Sequence, residues 1–230
     1  MRNIFIACDT NNAQEVKKII KQSQVKFKGY KIGYKFGLEF FYSKNGRKFI
    51  ESLKVKNLWL DIKTFDIPNT SSAAIKSLSD LKNISYITVH VSGGLQMLKA
   101  IKKSAKRHNK KLKILGVTVL TSFSNLSIKK VGHTKSIRDL VRKQALLAKT
   151  AKMDGIVCSA HEIKFIKNIC KRMEIITPGI RLKGEKLNDQ KRVMSPKEAF
   201  KNGATSIVMG RSLIKGNIKN NIQKLIKSLN

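Results

Sequence analysis

The sequence has few of the residues that mark several classes of protein. Its 230 residues include only three cysteines, three prolines and fourteen glycines. Cys8, Cys158 and Cys170 form an odd set with no Cys-x-x-Cys pair, which argues against a disulfide framework or a zinc site. Scarce proline and glycine exclude collagen-like and low-complexity chains. No apolar stretch approaches the roughly 20 residues that a membrane helix needs. We therefore expect a cytoplasmic protein that makes no membrane contact.

Acidic residues are also scarce. There are 14 Asp and Glu residues against 48 Lys and Arg residues, a net charge of +34. Such a charge can bind nucleic-acid backbones without sequence preference, so a basic nucleic-acid-binding protein is one alternative. However, the lysines fall as singles and pairs along helix-like segments, without a dense basic tail or a basic strand interleaved with aromatics. We therefore expect no specific nucleic-acid binding, and a field that attracts an anionic substrate.

Two patterns alternate along the chain. Short apolar runs rich in β-branched residues predict eight strands, at Asn3–Cys8, Tyr30–Gly33, Leu58–Lys63, Ser85–Val91, Leu112–Val119, Gly155–Ser159, Glu174–Thr177 and Ser206–Gly210. Apolar residues spaced three and four apart predict eight helices, at Ala13–Gln22, Gly46–Leu53, Ser71–Leu81, Leu95–His108, Ser136–Ala151, Glu162–Lys171, Pro196–Asn202 and Ile218–Leu229.

This alternation, with short links, is typical of parallel strands joined by crossover helices. Eight such units predict an α/β fold, a single (β/α)₈ TIM barrel domain over residues 1–230. A doubly wound open sheet is the alternative fold. Its first turn is usually rich in glycine, whereas the first predicted strand here runs into Asp9-Thr10-Asn11.

Charged residues cluster where the predicted strands end. Active sites of such barrels lie at the carboxyl ends of the strands, and buried strands are otherwise apolar. The charges in question are Asp9, Lys31, Asp61, Lys63, Asp66, Arg181 and Arg211. Three of these are carboxylates in a chain with only 14 acidic residues, so chance placement is a poor explanation. We predict that these side chains form the active site.

The segment Leu60–Thr70 carries the densest part of this pattern. Strand side chains alternate between faces, so Asp61 and Lys63 point the same way. A buried structural ion pair is the alternative interpretation, but such a pair contributes little to stability. An acid, a base and the further acid Asp66, with Lys31 nearby, favour a site that holds Lys63 protonated.

The last quarter of the chain predicts a phosphate site. Arg181 follows the seventh predicted strand, and Gly210-Arg211 closes the eighth. Barrels commonly bind phosphate between these two loops, and arginine adds bidentate hydrogen bonds. The polar stretch Leu182–Met194 between them predicts a lid over the ligand.

Several segments match one family. They are Ala7–Asp9, Lys31–Gly33, Asp61–Thr70, Val89–Gly94, Val117–Ser122, Asp154–Ala160, Thr177–Arg181, Asp189-Gln190 and Gly210-Arg211. Together they resemble the orotidine 5′-phosphate decarboxylase family over nearly the whole chain. The Asp-x-Lys-x-x-Asp core is shared with related sugar-phosphate decarboxylases and aldolases. Its extension through Pro68-Asn69-Thr70 is specific when taken together with Leu120–Ser122, Thr177–Arg181, Asp189-Gln190 and Gly210-Arg211.

The resemblance implies decarboxylation of orotidine 5′-phosphate to UMP in pyrimidine biosynthesis, with no cofactor and no metal. Lys63 is then the proton donor to pyrimidine C6, with Asp61 beside the substrate carboxylate. Lys31 and Asp66 complete the charged network, and Asp66 reaches across a homodimer interface. The resemblance also assigns substrate contacts to a wider set: Asp9 to the ribose, Thr121 to the pyrimidine, Gln190 to base and phosphate, Gly210 and Arg211 to the phosphate, and Ile67, Thr70 and Arg181 to the same site.

A related barrel enzyme that acts on a ketose phosphate with Mg²⁺ is the second alternative. Such an enzyme needs an acidic metal ligand after the second strand, and Glu39 is the nearest candidate.

Overall fold

The computed structural model describes residues 1–25, 27–182 and 194–229. Eight parallel strands pair in chain order, and the first also pairs with the eighth, which closes the sheet into a barrel. The helices that alternate with these strands cover the outside, so the fold is a TIM barrel, as predicted. In the three described ranges, no helix is both long and apolar enough to cross a membrane.

The bounds of the predicted strands and helices agree with the structure to within a few residues, with one consequential exception. The structure also has three short helices that were not predicted, at Leu38–Phe41, Asn125–Lys130 and Arg211–Ile214. The strands are β1 (Arg2–Ala7), β2 (Tyr30–Phe36), β3 (Leu58–Thr64), β4 (Ile84–His90), β5 (Lys113–Val117), β6 (Gly155–Val157), β7 (Glu174–Thr177) and β8 (Ser206–Met209). The helices are α1 (Ala13–Ser23), α2 (Leu38–Phe41), α3 (Gly46–Ser52), α4 (Pro68–Ser77), α5 (Gly94–His108), α6 (Asn125–Lys130), α7 (Ile137–Thr150), α8 (Ile163–Ile169), α9 (Pro196–Asn202), α10 (Arg211–Ile214) and α11 (Ile218–Leu229).

The strands separate two apolar clusters. Side chains that face outward pack against the helices in the larger cluster, as Ile4 and Ile6 of β1 do. Side chains that face inward form the smaller cluster, in which the Phe5 ring packs edge-on against Trp59 and Tyr86 at centroid distances of 5.1 and 5.4 Å. These three rings fill the middle of the barrel, so the space left for a ligand lies toward the carboxyl ends of the strands.

The exception is β2, which was predicted to end at Gly33 and in fact continues to Phe36. Gly33 lies inside the strand, and a glycine is needed at this position because its neighbours leave no room for a side chain. A Cβ there would lie 2.6 Å from Asn57 Nδ2 and from the Asn57 carbonyl oxygen, and 2.7 Å from the Phe5 ring. The glycine therefore reflects close packing rather than a turn. Three further residues bring Lys35 to the carboxyl end of the barrel.

Substitution of Gly33 tests this packing. We expect Gly33→Ala to lower the free energy of unfolding by about 1–3 kcal/mol, because one of the clashing atoms is a backbone oxygen that has little freedom to move. Chemical denaturation measures the change. Lys31→Ala, on an exposed residue two positions earlier in β2, is the control and should stay within about 0.5 kcal/mol of the unmodified chain. Equal stability of the two variants would contradict the packing described here.

Candidate active site

A cavity of about 330 Å³ opens at the carboxyl ends of the strands. Its walls combine apolar and charged side chains. Trp59, Val117, Leu120, Val157 and Val208 supply apolar surface, and Asp9, Lys35, Asp61, Lys63, Arg181 and Arg211 supply charge. A pocket that combines apolar walls with convergent charged groups is typical of an enzyme site for a small molecule.

Four charged side chains at this end are joined by ion pairs into one network. Lys35 Nζ lies 3.2 Å from Asp9 Oδ1 and 3.3 Å from Asp61 Oδ2. Lys63 Nζ lies 3.0 Å from the other Asp61 oxygen, Oδ1. The Asp61 carboxylate is therefore held between two ammonium groups, each facing a different oxygen.

Burial and charge act in opposite directions on this network. Burial favours the neutral form of Lys35, but the charges of Asp61 and Asp9 outweigh it and raise the pKa of the ammonium group. Burial also favours the neutral form of Asp61, but Lys35, Lys63 and a hydrogen bond from Thr88 outweigh it and lower the pKa of the carboxyl group. Both groups are therefore charged at neutral pH.

The backbone at Lys63 has an unusual conformation. Its φ of +50° lies in the left-handed region, which residues with a side chain rarely adopt. The Lys63 N–H donates to Thr88 Oγ1 at 3.1 Å. On the neighbouring strand, burial and then the positive charge of Lys63 lower the pKa of the His90 imidazole. His90 is therefore neutral at physiological pH and adds no positive charge beside Lys63.

Lys31 does not belong to this network, which corrects the sequence prediction. It is exposed near the start of β2, where it pairs in register with Asn3, whereas Lys35 pairs with Ala7. The four residues between the two lysines correspond to about 13 Å along the strand. Lys31 lines a separate depression at the amino ends of the strands, so Lys35 occupies the position that was predicted for Lys31.

Asp66, Ile67 and Thr70 lie outside the cavity of their own chain. All three residues are exposed, and none lines the cavity. Asp66 Oδ1 accepts a hydrogen bond from the Ile67 N–H at 2.7 Å. The neighbouring Phe65 and Ile67 are 63% and 66% exposed, an unusual amount for apolar side chains so close to a site.

The two predicted arginines lie at the same mouth of the cavity, beside Gly210 and Thr121. Arg181 is buried, and its Nη1 lies 3.4 Å from the Ile180 carbonyl oxygen and 3.5 Å from Ser212 Oγ. Arg211, by contrast, is exposed at the start of α10. Gln190 and most of the predicted lid lie outside the described residues.

Comparison with known proteins identifies the family of this chain. Residues 2–223 match the model of the orotidine 5′-phosphate decarboxylase / HUMPS family. The chain belongs to this family. An orotidine 5′-phosphate decarboxylase of Carboxydothermus hydrogenoformans is 39% identical over 218 residues, which cover 92% of this chain and 88% of that protein. One of Staphylococcus epidermidis is 39% identical over 218 residues, which cover 93% of this chain and 92% of that protein.

A solved structure agrees with these sequence relatives. The crystal structure of orotidine 5′-phosphate decarboxylase from Lactobacillus acidophilus superposes with a TM-score of 0.84 at 30% identity and covers 100% of both chains. The fold and the sequence therefore give the same family assignment.

The position of Glu39 bears on the magnesium-dependent alternative. In the magnesium-dependent alternative, Glu39 should face the cavity. Glu39 instead lies on α2, is exposed, and does not line the cavity. Among the described residues, no group of three or more His, Cys, Asp or Glu side chains is placed to hold a metal ion.

Sequence reasoning missed two residues of the site. Lys35 could have been found, because Lys-x-Gly occurs twice, at Lys31–Gly33 and at Lys35–Gly37, and the second copy is level with the end of β1. Thr88 gave no signal, since a threonine inside a β-branched run is an ordinary strand residue.

The charged network makes a prediction about stability. We expect Lys35→Met to lower the free energy of unfolding at pH 7 by about 3 kcal/mol, because it leaves the buried Asp61 carboxylate with one cation fewer. The pKa of Asp61 is lowered by folding, so its contribution to stability is fully present above its unfolded pKa of about 4 and is lost as the pH falls further. The deficit of the variant should therefore shrink in acid.

Denaturant titrations between pH 7 and pH 3 measure this dependence. Lys31→Met is the matched control, since it removes an exposed lysine from the same strand. A deficit that is the same at every pH, or an equal deficit in the control, would contradict the assigned network.

Proposed function

We propose that this chain decarboxylates orotidine 5′-phosphate to UMP and CO₂ without a cofactor. One observation carries the proposal: the Lys63 ammonium lies inside the cavity, 3.0 Å from a buried carboxylate that keeps it in place, and two arginines line the same mouth. Family membership and the names of the relatives described above agree with this activity.

The chemistry requires a cation at one carbon atom. Breaking the C6–carboxylate bond releases CO₂ and leaves the electron pair on C6, in an orbital that does not overlap the ring π system. Lys63 would stabilise this developing charge and then donate a proton to C6, which gives UMP. Solvent returns the proton to the amine. A fixed ammonium acts on charge that appears only in the transition state, so it raises the rate more than it tightens substrate binding.

The other residues of the cavity hold the substrate and the lysine. Asp61 orients the Lys63 side chain through one carboxylate oxygen, and Lys35 contacts the other oxygen. Asp9 is available to accept hydrogen bonds from ribose hydroxyls, because its side chain is 60% exposed at the cavity mouth. We assign Thr121 to the pyrimidine, and Arg181, Gly210 and Arg211 to the phosphate. Gln190 keeps its role only as a prediction from the resemblance.

We further propose that the active form is a homodimer that shares its sites. Asp66, Ile67 and Thr70 are exposed, as is the neighbouring Phe65 ring. This surface therefore has apolar side chains that a partner could bury and a carboxylate that could enter the partner's site. In a two-fold dimer the same surface meets its own copy, and each chain can extend Asp66 toward the network of the other.

Loss of Lys63 tests the proposed activity. We expect Lys63→Ala to abolish formation of UMP from orotidine 5′-phosphate, because it removes the proposed proton donor to C6, while UMP still binds through the phosphate site. Absorbance at the pyrimidine band measures turnover, and calorimetry measures binding. Lys31→Ala is the control and should keep full activity. Substantial turnover by Lys63→Ala would refute the assigned role, and loss of wild-type turnover in EDTA would favour the magnesium-dependent branch.

A mixed dimer tests the shared site. Lys63→Ala and Asp66→Ala chains carrying different tags are coexpressed, and the doubly tagged species is purified. One of its two sites then has neither substitution, so we expect about half of the wild-type activity, whereas each variant alone is inactive. A doubly tagged dimer of Lys63→Ala chains only is the control. An inactive mixed dimer, or a chain that elutes as a monomer, would contradict the shared site.

A further inference from the structure

We propose that Thr88 is a positioning residue, whose hydroxyl sets both the backbone of Lys63 and the orientation of the Asp61 carboxylate. This inference rests on the proposed decarboxylation, in which Lys63 is the acting group.

The pairing between β3 and β4 is interrupted at the site. Leu60 pairs with Ile87, and the next pair joins Thr64 to Val89. Between these pairs β3 contributes residues 61–63, while β4 contributes only Thr88. Such a bulge leaves backbone groups without their usual partners in the ladder and redirects side chains. Both charged residues of the central pair, Asp61 and Lys63, lie in this bulge.

The Thr88 hydroxyl takes the place of the missing ladder partner. It is completely buried, and it accepts the Lys63 N–H at 3.1 Å. It also lies 2.8 Å from Asp61 Oδ1 and 3.5 Å from the Leu60 carbonyl oxygen. A hydroxyl has one proton, and the nearer, charged oxygen is the better acceptor, so the proton goes to Asp61. Thr88 therefore links the Lys63 backbone to the Asp61 side chain.

Two consequences follow for the Lys63 ammonium. The hydrogen bond to the Lys63 N–H stabilises the left-handed φ of +50°, which determines where the side chain leaves the strand. The hydrogen bond to Asp61 Oδ1 fixes the same oxygen that contacts Lys63 Nζ, and leaves Oδ2 to Lys35. Both ends of the Lys63 side chain are therefore positioned through one hydroxyl group.

The position of the ammonium matters more for the chemical step than for binding. An error of about 1 Å in a reacting group can reduce the rate about 100-fold. Substrate affinity depends mainly on the arginines and on Asp9, which Thr88 does not touch. We therefore expect loss of the Thr88 hydroxyl to lower kcat and to leave KM nearly unchanged.

Three variants test this split. Thr88→Val has nearly the same shape but no hydroxyl, and we expect its kcat to fall about 100-fold with KM within about threefold of wild type. Thr88→Ser keeps the hydroxyl and should retain most of kcat. Thr118→Val is the matched control, since Thr118 is about as buried but, among the described residues, its hydroxyl bonds only to the backbone, donating to the Val157 carbonyl at 3.1 Å. A kcat for Thr88→Val within about threefold of wild type, or a Thr88→Ser variant as impaired as Thr88→Val, would overturn the inference.

Amide hydrogen exchange at Lys63 provides a readout that does not depend on activity. We expect this amide to exchange faster in Thr88→Val than in wild type or Thr88→Ser, because it has lost its acceptor. Unchanged exchange overturns the inference even if the enzyme is slow. If Thr88→Val does not fold, Thr88→Ala is measured in the same two assays with the same expectations. Absence of turnover in the unmodified chain would count against the proposed function, whereas the exchange comparison would still decide the role of Thr88.

Discussion

A buried carboxylate between two ammonium groups is the interaction on which the site depends. Asp61 is 9% exposed and would be strongly disfavoured there as an isolated charge. Lys35 and Lys63 make its burial possible, and it in turn makes the burial of Lys35 possible. Removing any one of the three charges leaves another unbalanced. Each lysine contacts a separate oxygen of Asp61, so the carboxylate can pair with both lysines at once.

The barrel supplies the rigid support that this arrangement requires. Below the charged layer, the rings of Phe5, Trp59 and Tyr86 fill the interior, and they exclude water from beneath the network. Electrostatic interactions are stronger in such surroundings than in water. The left-handed backbone at Lys63 is a local strain that a closed barrel can tolerate, and strain of this kind concentrates at functional sites.

The sequence predicted the barrel well because strand and helix periods are local signals. It predicted Asp61 and Lys63 for the same reason, since alternation within one strand puts them on one face. Alternation could not distinguish Lys31 from Lys35, because both lie on the same face of β2 and differ only in their position along the strand. That position is set by the pairing of β2 with β1, in which Lys35 lies opposite Ala7. It also depends on recognising Gly33 as a closely packed strand residue and not as the end of the strand. Asp66 is a different case, because its proposed function depends on a second chain.

The balance of charge in the cavity also bears on the direction of the reaction. Among the residues that the structure describes, four cationic side chains, Lys35, Lys63, Arg181 and Arg211, line it against two anionic ones, Asp9 and Asp61. An organic phosphate carries a charge of about −1.5 to −2 at pH 7, so it compensates most of this excess of two positive charges by itself. A ligand that also has a carboxylate makes the combined charge negative. Loss of CO₂ removes that additional negative charge, so the charge balance of the cavity favours the product over the substrate. The net charge of +34 attracts the substrate from a distance, but the separation of substrate from product depends on these few side chains.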